Sequence, residues 1–286
     1  MKKVLLWFIT DDARHLEGAL DKLNQVCGGI DLVDSVAGAD IAGVCTDDID
    51  VILVVGAKSI GMSDVVKAAR QLHLPEEKFL GDWIACLPGF TLDKYRRLQR
   101  SQLSILSMNC FGGCVSHMLG LPFRSPTVNM FFSDEDFVKF LHAPKFYLES
   151  EPRFERLDFS WAGAPNGYPV LALEDIRLNM MHYKTADAAV DKWLKRKARI
   201  NLYNSIAIMF TEDERILREF DALPFGKKVC FVPFESDADS AWHINPDVDT
   251  AATSFADRIN RFSFGHFIYF DLFDMLLYGL KTPLDT

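Results

Sequence analysis

Ser104-Ile-Leu-Ser-Met-Asn-Cys-Phe-Gly-Gly-Cys-Val-Ser-His-Met-Leu-Gly120 is the stretch whose reading decides the fold. Ile105 to Met108 is a short apolar run without polar alternation, which predicts a buried strand. Asn109, Cys110, Phe111, Gly112 and Gly113 predict a sharp turn, and Cys114 to Leu119 the first turns of a helix. Strand, glycine turn and helix start form the corner where α/β proteins place ligands, because backbone N–H groups and the positive helix end face one crevice. A thiol at Cys110 would sit in that field, which favours the nucleophilic thiolate.

Other readings of the same residues stay open. Cys110 could be a small buried hydrophobe and Gly112-Gly113 a tight connection. Cys110, Cys114 and His117 could be metal ligands, although their spacing matches no standard zinc pair. The turn also resembles the three-cysteine iron–sulfur loop of radical enzymes, with His117 where the third thiolate should stand. A thiol with a histidine base, for acyl transfer or hydrolysis, fits the turn better.

Working outward, a chain of 286 residues can hold two modest α/β domains or one large one. A hydrophobic share of 49% beside 25% charged residues is that of an ordinary globular protein, and 23 phenylalanines supply a substantial core. The net charge of −9 excludes a dominant nucleic-acid role, which requires a basic footprint. Six irregularly spaced cysteines do not form a disulfide framework and point to reduced thiols in a cytoplasm. The apolar run Val4 to Ile9 behind Met1-Lys2-Lys3 is too short for a signal peptide and ends at Asp11-Asp12, so it reads as a first strand. No stretch reaches the length that spans a bilayer.

Along the first hundred residues, strands are expected at Val4 to Ile9, Asp31 to Ser35, Ile49 to Val55 and Lys78 to Leu80. Helices are expected at Ala13 to Val26 and Ser63 to Leu72. This alternation predicts a parallel, Rossmann-like unit. Its first turn, Thr10-Asp11-Asp12-Ala13, lacks glycine and carries carboxylates that would repel a pyrophosphate. The Gly56 to Gly61 loop is a better phosphate cradle but lacks P-loop spacing. A degenerate structural or interface domain is the preferred role. Leu92 to Gln102, with Lys94, Arg96, Arg97 and Arg100, reads as a connecting helix with a solvated basic face, and the domain boundary falls near Arg100.

Beyond the Cys110 turn, Thr127 to Phe132 reads as strand-like, and Ser133 caps a helix to about Leu141. Pro144 to Pro169 reads as irregular, Val170 to Tyr183 as two β segments around Glu174-Asp175, and Ala186 to Ile200 as a helix behind Thr185. Apolar strands at Ser205 to Phe210 and Lys228 to Phe234 flank a helix from Asp213 to Ala222. Residues 235 to 253 read as an acidic loop, and Phe255 to Phe262 and Phe270 to Tyr278 as closing helices.

Four passages carry a family resemblance: Ser107 to Gly113; Ser125-Pro126-Thr127-Val128-Asn129-Met130; His182-Tyr183-Lys184; and Trp193 to Asn201 with Asn204. Together they resemble a bacterial family with a domain of unknown function, usually named exopolysaccharide-biosynthesis proteins, over about residues 100 to 280 of 286. That resemblance implies work on cell-surface polysaccharide without fixing a reaction. The turn is also similar to that of a capsule-biosynthesis acetyltransferase family, which implies coenzyme A and the use of a cysteine and a histidine.

His182 falls at the expected carboxyl end of a strand and could face Cys110 across the sheet as its base. His117 lies two helical turns past Cys110, roughly 10 Å of rise, beyond hydrogen-bond reach. A histidine satisfied within the core is the alternative for His182. Trp193, Arg196 and Arg199 recur every three residues on one helix face, which could fork onto a phosphate with the indole as a stacking wall. The alternative is a helix docked by Trp193 with solvated or paired arginines. Asn201 and Asn204 read as caps.

These readings predict an α/β protein of two Rossmann-like three-layer domains with mostly parallel sheets, residues 1–100 and 101–286. The expected activity is acyl or related group transfer to a sugar or nucleotide-sugar precursor of surface polysaccharide. Cys110 would be the nucleophile and His182 the base. Asn109 would belong to the catalytic turn, and the N–H groups after Cys110 to an oxyanion hole. Gly112, Gly113, His117, Lys184, Trp193, Arg196, Arg199 and Asn201 would bind substrate, with coenzyme A or a nucleotide-sugar as cofactor. Of equal standing is a non-catalytic sugar-nucleotide sensor or assembly subunit using the same crevice. No nucleic acid, resident metal or membrane span is expected, and oligomerisation stays open.

Overall fold

Val51–Val55 is a run of five consecutive buried apolar residues, which a strand can satisfy only with neighbours beside it and cover on both faces. The computed structural model describes residues 1–286 except 162, 246, 248, 267 and 283–286. In chain order the first elements are β1 (Lys2–Phe8), α1 (Leu16–Cys27), β2 (Ile30–Ala37), β3 (Val51–Val55), α2 (Met62–Gln71), β4 (Phe79–Gly81), α3 (Asp82–Ala85) and α4 (Leu92–Arg100). Then come β5 (Ser104–Ser107), α5 (Phe111–Leu119), α6 (Asp134–His142), α7 (Pro144–Glu149), β6 (Arg153–Asp158), β7 (Tyr168–Leu173) and β8 (Ile176–Asn179). The last are α8 (Ala186–Lys197), β9 (Ser205–Phe210), α9 (Glu214–Asp221), β10 (Lys228–Val232), β11 (Ala241–His243), α10 (Phe255–Ser263) and α11 (Leu272–Tyr278).

The chain divides into two units. One comprises Met1–Ser101, Ser116–Pro122 and Phe270–Thr286, the other Gln102–Val115 and Phe123–Tyr269. The sequence placed a single cut near Arg100; the segments Ser116–Pro122 and Phe270–Thr286 group with the first unit. The tail 283–286, and residues 246 and 248 of the expected acidic loop, lie outside the described residues.

In the first unit a parallel sheet runs β2-β1-β3-β4. Gly56, at the carboxyl end of β3, takes a positive φ of 82° that a side chain would strain, and a Cβ there would collide with Thr10. The buried Asp82 carboxylate accepts the Gly56 amide at 3.0 Å and the Trp83 amide at 2.8 Å, tying the ends of β3 and β4 together. The basic face of α4 is solvated only in part: Arg97 and Arg100 are exposed, while Lys94 and Arg96 are docked. Lys94 Nζ lies 2.8 Å from Asp271 and 2.7 Å from Asp274, Arg96 donates to the Phe79 carbonyl, and Arg97 stacks over Tyr278 at 5.5 Å. Lys94 and Asp271 are 177 residues apart, so nothing local in the sequence announced that pair.

In the second unit a parallel sheet runs β11-β10-β9-β5, and a separate antiparallel sheet runs β6-β7-β8. Among the described residues the protein is therefore α/β with two parallel sheets and one small antiparallel one. One hydrophobic cluster joins Leu106 and Met108 to Phe132, Phe137, Phe140, Leu171, Trp193, Met209 and Phe220. Three expectations fail here. Pro144 to Pro169 is not irregular throughout: Pro144 opens α7 at a position that needs no N–H donor, and β6 follows. Residues 235 to 253 include the short strand β11.

Thr127 to Phe132 is not a strand. Asn129 takes a left-handed φ of 63°, which ends any extended run, and the Thr127 hydroxyl accepts the Ser107 amide at 3.2 Å where a ladder carbonyl would stand. Its backbone pairing is limited to an isolated bridge between Phe131 and Asn179 and a bond from the Phe132 amide to the Met108 carbonyl at 2.8 Å, among the described residues. Among the described residues, no helix is long and apolar enough to cross a membrane.

Candidate functional site

The strand–turn–helix expected at Ser104 to Leu119 is present, and it is held together by its own side chains. Ser107, the last residue of β5, donates its hydroxyl to the Asn109 carbonyl at 2.7 Å and accepts the Gly112 amide at 3.0 Å. Asn109 Oδ1 accepts the Phe111 amide at 3.0 Å. The two N–H groups after Cys110 are thus engaged within the turn, as capping side chains engage orphan donors at a helix start. The expected oxyanion hole is filled by the chain itself in this arrangement.

Gly112 and Gly113 are buried and serve close packing. A Cβ on Gly112 would come within 2.8 Å of Ile105 and 2.9 Å of Ser107 Oγ, and one on Gly113 within 2.9 Å of Val128. Phe111 anchors the helix against Phe231 and Phe262, with ring centroids 5.7 and 5.4 Å apart.

Cys110 is half-buried. Burial pushes its thiol up to about 12 and the nearby Cys114 adds to the rise, while backbone hydrogen bonding with Asn129 and Met130 opposes it only in part. Desolvation thus works against the thiolate expected from the helix-end field, because burial penalises a sulfur anion. Cys114 is raised too, again by burial, with Ser263 hydrogen bonding in opposition. None of the six cysteines is bridged. Among the described residues, no three His, Cys, Asp or Glu side chains gather as metal ligands.

The neighbours of the turn are mostly neutral polar groups. Asn109 Nδ2 donates to Asn260 Oδ1 at 3.2 Å, and α10 carries both Asn260 and Ser263 to the turn. Buried Asp249 fixes that helix by accepting Arg261 at 2.7 Å. From the other side, Arg196 Nη1 reaches from α8 to the Val128 carbonyl at 2.7 Å and the Tyr183 hydroxyl at 2.6 Å. Tyr183 is close enough to Cys110 for the two to interact electrostatically; burial raises its own hydroxyl pKa and Arg196 lowers it.

Other expected site residues are placed differently. Exposed His182 packs edge-on against Trp161 at 5.6 Å, and desolvation lowers its pKa, favouring neutral imidazole. Among the described contacts it is Tyr183, not His182, that neighbours Cys110. His117 belongs to the first unit, where its ring fills the space a Cβ on Gly61 would need. Trp193 is fully buried in the core beside Phe140, at 6.5 Å, and offers no stacking wall. Arg196 turns inward while Arg199 and Lys184 are exposed, so the arginine ridge does not form. Asn201 Oδ1 accepts the Asn204 amide, and its own amide donates to Ser104 at 2.8 Å, so it caps as read.

Sequence reasoning passed over Ser107, Asn129 and Tyr183 although all three stand in the motif passages. Their polar types beside the turn were the available signal. Asn260 and Ser263 had none, being about 150 residues distant, as the 151-residue separation of the Asn109–Asn260 pair shows.

The family model for a domain of unknown function, DUF1919, matches residues 87–261, which carry the turn, α8 and most of α10. The chain belongs to the DUF1919 family. A Haemophilus influenzae relative, described only as an uncharacterized protein, is 35% identical over 139 residues, covering 48% of this chain and 64% of its own length. In this DUF1919 member the family region includes Asn109, Cys110, Asn129, Tyr183, Arg196 and Asn260. The first 86 residues, with β1 to β4, precede it.

Proposed function

We propose that the second unit binds a hydroxyl-rich sugar or nucleotide-sugar ligand at the Asn109–Cys110 turn, and that the protein serves surface-polysaccharide biosynthesis as a non-catalytic binding or assembly subunit. Each unit is read as Rossmann-like within this proposal, and the setting as cytoplasmic. The observation that carries the choice of binding over group transfer is that the two amides following Cys110 are already hydrogen-bonded by Asn109 and Ser107, and burial raises the thiol pKa in the same direction. A nucleophile needs the thiolate and open donors for the developing oxyanion. Amide side chains, a phenol and one fixed guanidinium instead suit many hydroxyls and a single anionic group.

The test pairs intact-mass measurement with calorimetry on the full chain. With acetyl-coenzyme A the mass should stay unchanged. With UDP-glucose, a saturable heat should appear that Asn109→Ala weakens. An acetyl adduct on Cys110, lost in Cys110→Ser, would restore the acyltransferase reading and displace this one.

A further inference from the structure

The second unit also holds a cavity of about 710 Å³ at the other edge of its parallel sheet. The Asn109–Cys110 turn follows the carboxyl end of β5. The cavity is lined by Ser205, the first residue of β9, and by Gly226 and Lys227, which directly precede β10. Since β5, β9 and β10 are parallel, the two places lie at opposite strand ends.

The lining has two chemical components. Phe146, Tyr203 and Phe225 supply flat apolar surface, with Phe146 52% and Tyr203 99% exposed. An aromatic ring held wholly in water leaves its stacking surface unused. Lys145 and Lys227 supply positive charge beside the His142 imidazole, and no Asp or Glu is among the described lining residues. In a chain of net charge −9, such a concentration of cations is a local electropositive site. Lys227 donates to Asn204 Oδ1 at 3.0 Å, which orients its ammonium, and burial lowers its pKa, a cost that a bound anion would offset.

We infer that this cavity is a second small-molecule site, for a planar aromatic anion of the nucleotide class, its ring against Tyr203 and Phe146 and its anionic group toward Lys145 and Lys227. The volume lies within the range of small-molecule pockets. Lysines receive phosphate as point charges, and an aromatic wall accepts any base because every base has a π face. The inference does not depend on the reading of the Cys110 turn.

The experiment is calorimetric titration of the full chain with adenosine monophosphate, beside adenosine and inorganic phosphate as its two halves. Saturable binding of the whole nucleotide, tighter than either half, is expected. Tyr203→Ala and Lys145→Ala, both exposed substitutions that leave the fold intact, should each weaken it about tenfold. Three results would overturn the inference: no saturable binding by the wild-type chain; binding of phosphate or adenosine alone as tight as the nucleotide; or binding that survives both substitutions but is lost in Asn109→Ala, which would assign the nucleotide to the turn.

Discussion

Arg196 donates to the Tyr183 hydroxyl at 2.6 Å and, through the same nitrogen, to the Val128 carbonyl at 2.7 Å, binding α8 to the segment that lies over Cys110. Hydrogen bonds from a charged donor to half-buried acceptors are among the stronger ones. Arg196→Ala should lower unfolding stability by about 2 kcal/mol and Tyr183→Phe by about 1 kcal/mol, as read from urea denaturation. Because both remove one network, the double mutant should lose less than the sum.

Gly112→Ala tests the packing of the turn. The added methyl would stand 2.8 Å from Ile105 and 2.9 Å from Ser107 Oγ, against β5 on both sides. Overpacking of this kind costs ~1–3 kcal/mol. A drop of that size in thermal or urea stability is expected, and a neutral substitution would show that the helix can shift away from the strand.

The turn itself was legible in the sequence because a continuous apolar run followed by Asn-Cys-Phe-Gly-Gly admits few local conformations. The roles assigned around it were less legible. A three-residue period placed Trp193, Arg196 and Arg199 on one face, but it could not say that the face is turned inward at Trp193 and outward at Arg199. The helix-dipole argument for Cys110 left out burial, which comes with neighbours such as Met130 and Tyr183 that only the tertiary fold brings there. The strand expected at Thr127 to Phe132 failed because a side-chain hydroxyl and one left-handed asparagine replaced the backbone ladder.

Trp193→Ala separates core from ligand wall. The side chain is fully buried among Phe140 and its neighbours. Its truncation should cost about 3–5 kcal/mol of stability, measured by chemical denaturation, with partial unfolding at ambient temperature. A stable variant defective only in ligand binding would return Trp193 to the site.

Alkaline pH should act on the Cys110 region with a definite sign. The folded thiol titrates at about 12, above its ordinary value of 9.0, so the folded chain retains a proton that the unfolded chain has released. The contribution is present in full below pH 9 and is lost as pH rises toward 12. Denaturation midpoints across that window should fall less steeply in Cys110→Ala than in the wild type.

The most direct measurement is the rate at which iodoacetamide modifies Cys110 in the native protein at neutral pH, followed by peptide mass spectrometry with the unfolded chain as reference. A protonated, desolvated sulfur should react far more slowly folded than unfolded. Rapid stoichiometric labelling of Cys110 in the folded chain, with an apparent pKa at or below neutrality, would contradict the binding account and make the sulfur a nucleophile.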